Sequence, residues 1–102
     1  MTSQHEHSVR ITTGELALEG ILGLPAGPRG VVVFAHGSGS GRLSPRNNFV
    51  ARYLQRDGLA TLLLDLLTEE EADDRRKVFD IDLLADRLLL AKGWLEAEPR
   101  TN

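Results

Sequence analysis

Apolar and polar residues alternate from Ser8 to Thr13 (S-V-R-I-T-T), the period-two pattern of a strand with one solvated face. Gly14 and Glu15 supply a turn. The alternation resumes with Leu16, Leu18, Gly20 and Leu22 on one side, which predicts the return arm of a hairpin running toward Leu24. From Pro25 to Gly30 the run PAGPRG packs two prolines and two glycines into six residues and excludes both helix and central strand. The pattern then changes. Val31, Val32, Val33 and Phe34 are β-branched or aromatic with no polar alternation, so they predict a strand buried on both faces in the middle of a parallel sheet.

After a glycine-serine stretch, Ser44 and Pro45 read as the N-cap and first position of a helix, because proline needs no N–H there and serine satisfies an orphan donor. The periodicity places Phe49, Val50, Tyr53 and Leu54 on its core face and Arg52, Gln55 and Arg56 on the other. Gly58 marks its end near Asp57. Leu59 to Leu67, broken only by Thr61 and Asp65, predicts a second buried parallel strand and so closes a β-α-β unit. The charge run TEEEADDRRK from Thr68 to Lys77 reads as a solvated loop or short helix. Asp80 caps a last helix reaching about Glu96, with Ile81, Leu84, Leu88, Ala91 and Leu95 as the stripe that covers the sheet. A second apolar stripe, Leu83, Leu90 and Trp94, is more than a surface helix needs. The expected architecture is α/β: an N-terminal hairpin, then β-α-β-α, with a mainly parallel four-stranded sheet in one domain over residues 1–102 and a flexible tail at 1–7.

Composition narrows the function classes. Hydrophobic residues make up 41% and charged residues 26% of the 102, ordinary values for a globular domain, and a net charge of -3 gives no electrostatic reason to bind nucleic acid. With no cysteine, disulfides, thiolate catalysis and cysteine-ligated metals are excluded, and a reducing compartment, by default the cytoplasm, is expected. The N-terminal MTSQHEHSVR lacks a signal-peptide core, and no stretch reaches the ~20 apolar residues of a membrane span. His5 and His7 flank Glu6, but a frayed polar terminus explains them better than metal ligation.

The chemistry sits between the Val31 strand and the Ser44 helix. His36 to Gly41 alternates three glycines with two serines, which lets a backbone turn tightly and aim N–H groups at an anion or oxyanion. Taken together, VVVFAHGSGSGRLSPRN, the GLATLLLDLLT strand and the FDIDLLADRLLLAKGWL helix resemble the N-terminal part of an α/β-hydrolase, and most of all the dienelactone-hydrolase-like branch. The resemblance implies a partial α/β-hydrolase fold, carboxylic-ester hydrolysis and no cofactor. It also implies that the loop after His36-Gly37 gives one backbone N–H to the oxyanion hole, which falls on Ser38 with Gly39 beside it. Preorganised donors stabilise the negative charge of an acyl-transfer transition state without reorganising, and glycines let the carbonyl approach that closely. His36 and Gly37 would shape the turn, and Asp65 would hold the loop in preference to acting as a catalytic acid. Arg42 and Arg46 are either contacts for an anionic substrate or solvated arginines.

The G-x-S-x-G nucleophile motif and the later acid and histidine of the triad do not occur in the 102 residues, and Gly37-Ser-Gly-Ser-Gly41 has Gly39 where a nucleophile belongs. The expectation is a hydrolase fragment that keeps the oxyanion loop, has little or no activity alone, and acts on a small ester only when completed. A variant pairs Ser38, Ser40 or Ser44 with His36 as an improvised nucleophile and base. Two alternatives stand beside it: a phosphate or anion binder using the glycine loop at a helix N-terminus, and a structural or assembly module. For the first, Arg42 stands where G-x-G-x-x-G needs glycine, and no Gly-Lys pair follows the loop. In the family's strand order the Val31 to Ala35 strand would have one edge unpaired. A homo-oligomer, most simply a two-fold dimer through that edge and the Leu83, Leu90 and Trp94 stripe, is expected.

Overall fold

The computed structural model describes residues 6–36 and 41–101. Strands β1 (Glu6–Thr13) and β2 (Leu16–Gly23) form the expected hairpin, with β1 starting two residues before Ser8. Strand β3 (Val31–His36) leads through a 3₁₀ turn (Gly41–Leu43) into helix α1 (Pro45–Arg56), and the chain returns as β4 (Ala60–Asp65). Two four-residue helices, α2 (Glu69–Ala72) and α3 (Arg75–Val78), fill the charge run before α4 (Ile81–Ala97) and a terminal 3₁₀ turn (Pro99–Thr101). Among the described residues no helix is long and apolar enough to cross a membrane.

The sheet order is β1-β2-β4-β3, and here two expectations are corrected. The sheet is mixed, not mainly parallel: β1–β2 and β2–β4 are antiparallel, and only β3–β4 is parallel. The hairpin arm β2 takes one side of β4, and the crossover through α1 brings β4 back parallel to β3, since a helix returns the chain to the end where it began. Strand β3 is therefore an edge strand among the described residues, and β4 holds the middle. Ala60, Thr61, Leu62, Leu63 and Leu64 of β4 are all buried, whereas Val31 to Phe34 are half-buried and Ala35 is exposed.

One face of the sheet carries the main core: Ile11, Leu18, Leu22, Leu62, Leu64 and Leu66 pack with Ala91, and Leu84, Trp94 and Leu95 of α4 close over them. The inward stripe of α4 is thus Leu84, Arg87, Ala91, Trp94 and Leu95. Ile81 and Leu88, expected in the core, are 73% and 42% exposed. Arg87 causes the rotation. Its guanidinium donates to Leu66 O at 2.9 Å and to both carboxylate oxygens of Glu71 at 2.8 and 2.7 Å, so the helix turns this side chain inward. Glu71 also completes a capping box with Thr68, so part of the charge run is clamped, not solvated.

Helix α1 covers the other face, and it too is rotated from expectation. Ala51 is its buried residue, while Phe49 is 68% and Tyr53 59% exposed, with Val50 also exposed. The inward side is small and polar: Gln55 Nε2 donates to the buried Thr61 hydroxyl at 2.8 Å. The helix lies so close that a Cβ on Gly23 would sit 2.0 Å from Gln55 Nε2, which is why glycine ends β2. Ser44 caps the helix by accepting from the Asn47 N–H, and Gly58, at φ +87°, follows its C-cap Asp57 as expected.

Candidate functional site

The site is built where β3 and β4 end. His36 and Asp65 are register partners there, so the segment that leaves β3 starts beside the Asp65 backbone. Gly37, Ser38 and Gly39, expected to form the oxyanion loop, lie outside the described residues, as does Ser40. The chain is described again at Gly41, which is buried, and at Arg42.

Arg42 is held at three polar points. Its backbone N–H donates to Asp65 Oδ1 at 2.9 Å and its Nη1 to Asp65 Oδ2 at 2.5 Å, a two-point, charge-assisted grip by one carboxylate. Its carbonyl accepts from Asn48 Nδ2 at 3.0 Å, and the same amide reaches Ser44 O at 2.9 Å. Asp65 and Asn48 therefore fix both backbone polar atoms of the residue that follows the glycine stretch. Sequence reasoning missed Asn48. The available signal was its place one turn after the Ser44 cap, where a side-chain amide can reach back to the carbonyls that precede the helix.

A cavity of about 560 Å³ opens at this end of the sheet, lined by Arg42, Asp65, Leu67, Glu19, Glu69 and Glu70 among others. Carboxylates outnumber the cation, and that one guanidinium already meets Asp65. Glu19 in turn meets Arg10 at 2.9 Å. Such a lining does not favour an anion on electrostatic grounds. Arg46 is exposed in the first turn of α1, apart from the Arg42–Asp65 pair. Ser44 is engaged as the helix cap, which leaves its hydroxyl a structural task.

Asp65→Ala should lower stability by about 2 kcal/mol, because a part-buried N–H and a guanidinium lose their acceptor together. Urea unfolding measures the loss, and faster hydrogen exchange at the Arg42 amide localises it.

Comparison with known proteins places these features in context. No family model matches the chain. The crystal structure of a dienelactone hydrolase from Anabaena variabilis ATCC 29413 superposes with a TM-score of 0.84 at 53% sequence identity, covering 94% of this chain and 46% of that one. Two Mycobacterium tuberculosis proteins, from strains CDC 1551 and H37Rv, are each 52% identical over 96 residues, covering 94% of this chain and 22% of theirs. Both carry phosphoribosyl transferase as a provisional name. The chain thus spans just under half of the solved hydrolase and about a fifth of the curated relatives it matches.

Proposed function

Since the chain is a dienelactone-hydrolase-like stretch of α/β-hydrolase fold, we propose that it supplies the scaffold and the oxyanion-hole loop of an ester hydrolase and has little or no activity by itself. The observation that carries this is the anchoring of the glycine-loop exit at the ends of β3 and β4: His36 pairs in register with Asp65, and Asp65 grips Arg42 on the far side of the loop. In that reading the backbone N–H of Ser38, with Gly39 beside it, faces the developing oxyanion, and His36 and Gly37 shape the turn. Asp65 is a positioning residue. The nucleophile, acid and base come from polypeptide beyond these 102 residues, and the whole acts in the cytoplasm, the compartment a cysteine-free composition favours.

The activity test uses an activated ester such as p-nitrophenyl acetate. The chain alone should turn it over at the buffer rate, and a polypeptide extended by the remainder of a dienelactone-hydrolase-like domain should hydrolyse it. Hydrolysis by the 102-residue chain that disappears when Ser38, Ser40 and Ser44 are all replaced by alanine would instead establish the improvised serine site.

A second reading, anion binding by the same loop, draws on the name of the mycobacterial relatives. More than three quarters of those proteins lies outside the matched stretch, and the carboxylate-rich cavity around Arg42 weighs against a phosphate there. Calorimetric titration with inorganic phosphate decides between them, with heat that is lost on bulky replacement of Gly39 and Gly41 as the result that favours anion binding.

A further inference from the structure

We infer that Arg87 of α4, a step removed from the candidate site, is a positioning residue for it: by fixing the chain where it leaves β4, Arg87 keeps Asp65 aimed at Arg42. Its consequence for catalysis rests on the hydrolase reading above, and its geometry rests on the described residues alone.

Asp65 is the last residue of β4, and the ladder to β3 that holds it ends at its own pair with His36. Beyond it the sheet gives no support, since Leu66 and Leu67 run as a bend outside any strand or helix. A carboxylate that meets both the N–H and the guanidinium of Arg42 needs its backbone held on either side, because hydrogen bonds weaken steeply with distance and angle. Arg87 supplies the second side. Its Nη1 donates at 2.9 Å to the first carbonyl past the strand, Leu66 O, and its fork carries the clamp on to Glu71. Glu71 is tied in turn to Thr68 through the capping box. The four residues of α2 cannot hold themselves in place, since isolated helices shorter than about 12 residues are marginal in water. The segment from Leu66 to Glu71 therefore takes its position from Arg87. Leu67, Thr68, Glu69 and Glu70 within it line the cavity that Arg42 and Asp65 share.

Stability alone is a weak reason for this device, because well-packed apolar residues of similar volume often replace a buried ion pair without loss. A guanidinium offers what they lack: donors in a rigid plane that set a carbonyl and a carboxylate in fixed relation to each other. Its base is firm as well. Leu84, Ala91, Trp94 and Leu95 seat α4 on the sheet, and Arg87 lies one turn before Ala91. Leu66 and Arg87 are both buried, so the contact does not depend on what covers the outer surface. In the hydrolase reading, donors from the glycine stretch act on charge that develops only in the transition state. Slack in their support therefore lowers kcat and leaves KM nearly unchanged.

Arg87→Lys keeps a cation for Glu71 but lacks the fork that joins it to Leu66 O. In the polypeptide extended by the remainder of a hydrolase domain, kcat on p-nitrophenyl acetate should fall about tenfold with KM within about twofold, where a displacement of about 1 Å costs roughly 100-fold. In the 102-residue chain the Arg42 amide should exchange about tenfold faster. Glu71→Gln leaves the bond to Leu66 O in place and should keep kcat within about threefold. Ile11→Ala, in the core under the hairpin, should lose at least as much stability in urea as Arg87→Lys, yet leave kcat and Arg42 exchange within about twofold. Unchanged kcat in Arg87→Lys overturns the inference. So does a loss of kcat that Ile11→Ala matches, or Arg42 exchange indifferent to Arg87→Lys. If the unmodified extended polypeptide cleaves no ester, the hydrolase reading fails, and Arg42 exchange in the 102-residue chain alone decides whether Arg87 positions this end of the sheet.

Discussion

Arg87→Ala is expected to lower the unfolding free energy by about 3 kcal/mol, the range for removing one partner of a buried ion pair. The Arg87 side chain is 10% exposed and that of Glu71 16%, so most of the pair is shielded from water. Truncating Arg87 strips two donors from Glu71 and one from the Leu66 carbonyl, and it opens space beneath α4. Glu71→Gln should be milder, since an amide oxygen can still accept from Arg87 while the charge is lost. Replacing both residues by apolar ones should do less harm than the two single losses added together, because no uncompensated charge remains. The acid profile follows from the same contact. Hydrogen bonding from Arg87 is the main reason the Glu71 pKa falls from 4.5 to about 2. A carboxyl whose folded pKa lies below its unfolded value contributes in full above about pH 4.5, and that contribution fades as pH drops toward 2. Urea midpoints measured across that window should slope steeply for the unmodified chain and more gently for Glu71→Gln. Equal slopes would mean that the pair does not hold α2 to α4.

The contrast between Arg87 and its neighbours also explains what could and could not be read from the residues. Local signals sufficed for the hairpin at Gly14-Glu15, the cap at Ser44-Pro45 and the stop at Gly58, because each depends on a few adjacent residues. Faces were harder. Periodicity assigns the core side of a helix to its apolar residues, and in both long helices a polar residue took that side instead. Gln55 found the Thr61 hydroxyl, and Arg87 found Glu71 sixteen residues earlier. Partners so distant in sequence, or supplied by a strand, leave no periodic trace. The residues of β3 describe the environment that the strand suits, a buried middle, and only the strand order implied by the resemblance pointed to the unpaired edge it has among the described residues.

The candidate site divides in the same way. Asp65, the polar residue at the end of an apolar strand, is brought by the fold to Arg42, while the loop it was expected to support lies outside the described residues. Arg42 reads from the sequence as either a contact for an anionic substrate or a solvated arginine. Its guanidinium instead meets Asp65, and the cavity around it holds more carboxylate than cation. Asn48 offered only its place one turn after the Ser44 cap, since one asparagine in the first turns of a helix has many uses and only the positions of Arg42 O and Ser44 O select this one.

The second large effect is expected at Leu64, in a comparison with Phe49 that sets the structural core against the periodic one. Leu64 is fully buried in the middle strand, and its register partners on either side are Gly20 and Ala35. Neither neighbour has a side chain long enough to swing into the space that Leu64→Ala would leave. The cavity should persist, and the loss should approach about 3 to 4 kcal/mol, in the upper part of the range for such truncations. At about 4 °C or more per kcal/mol for a domain of this size, the melting temperature should fall by at least roughly 12 °C. Phe49 stood first on the core face that periodicity drew for α1, and a buried phenylalanine truncated to alanine would lose as much. At 68% exposure it has little to lose, so Phe49→Ala should stay within about 0.5 kcal/mol of the unmodified chain. Thermal and urea unfolding of the two variants should therefore separate widely. If they lose comparable stability, α1 packs through Phe49 and Tyr53 after all, and the close approach of Gln55 to Gly23 is not the contact that seats this helix.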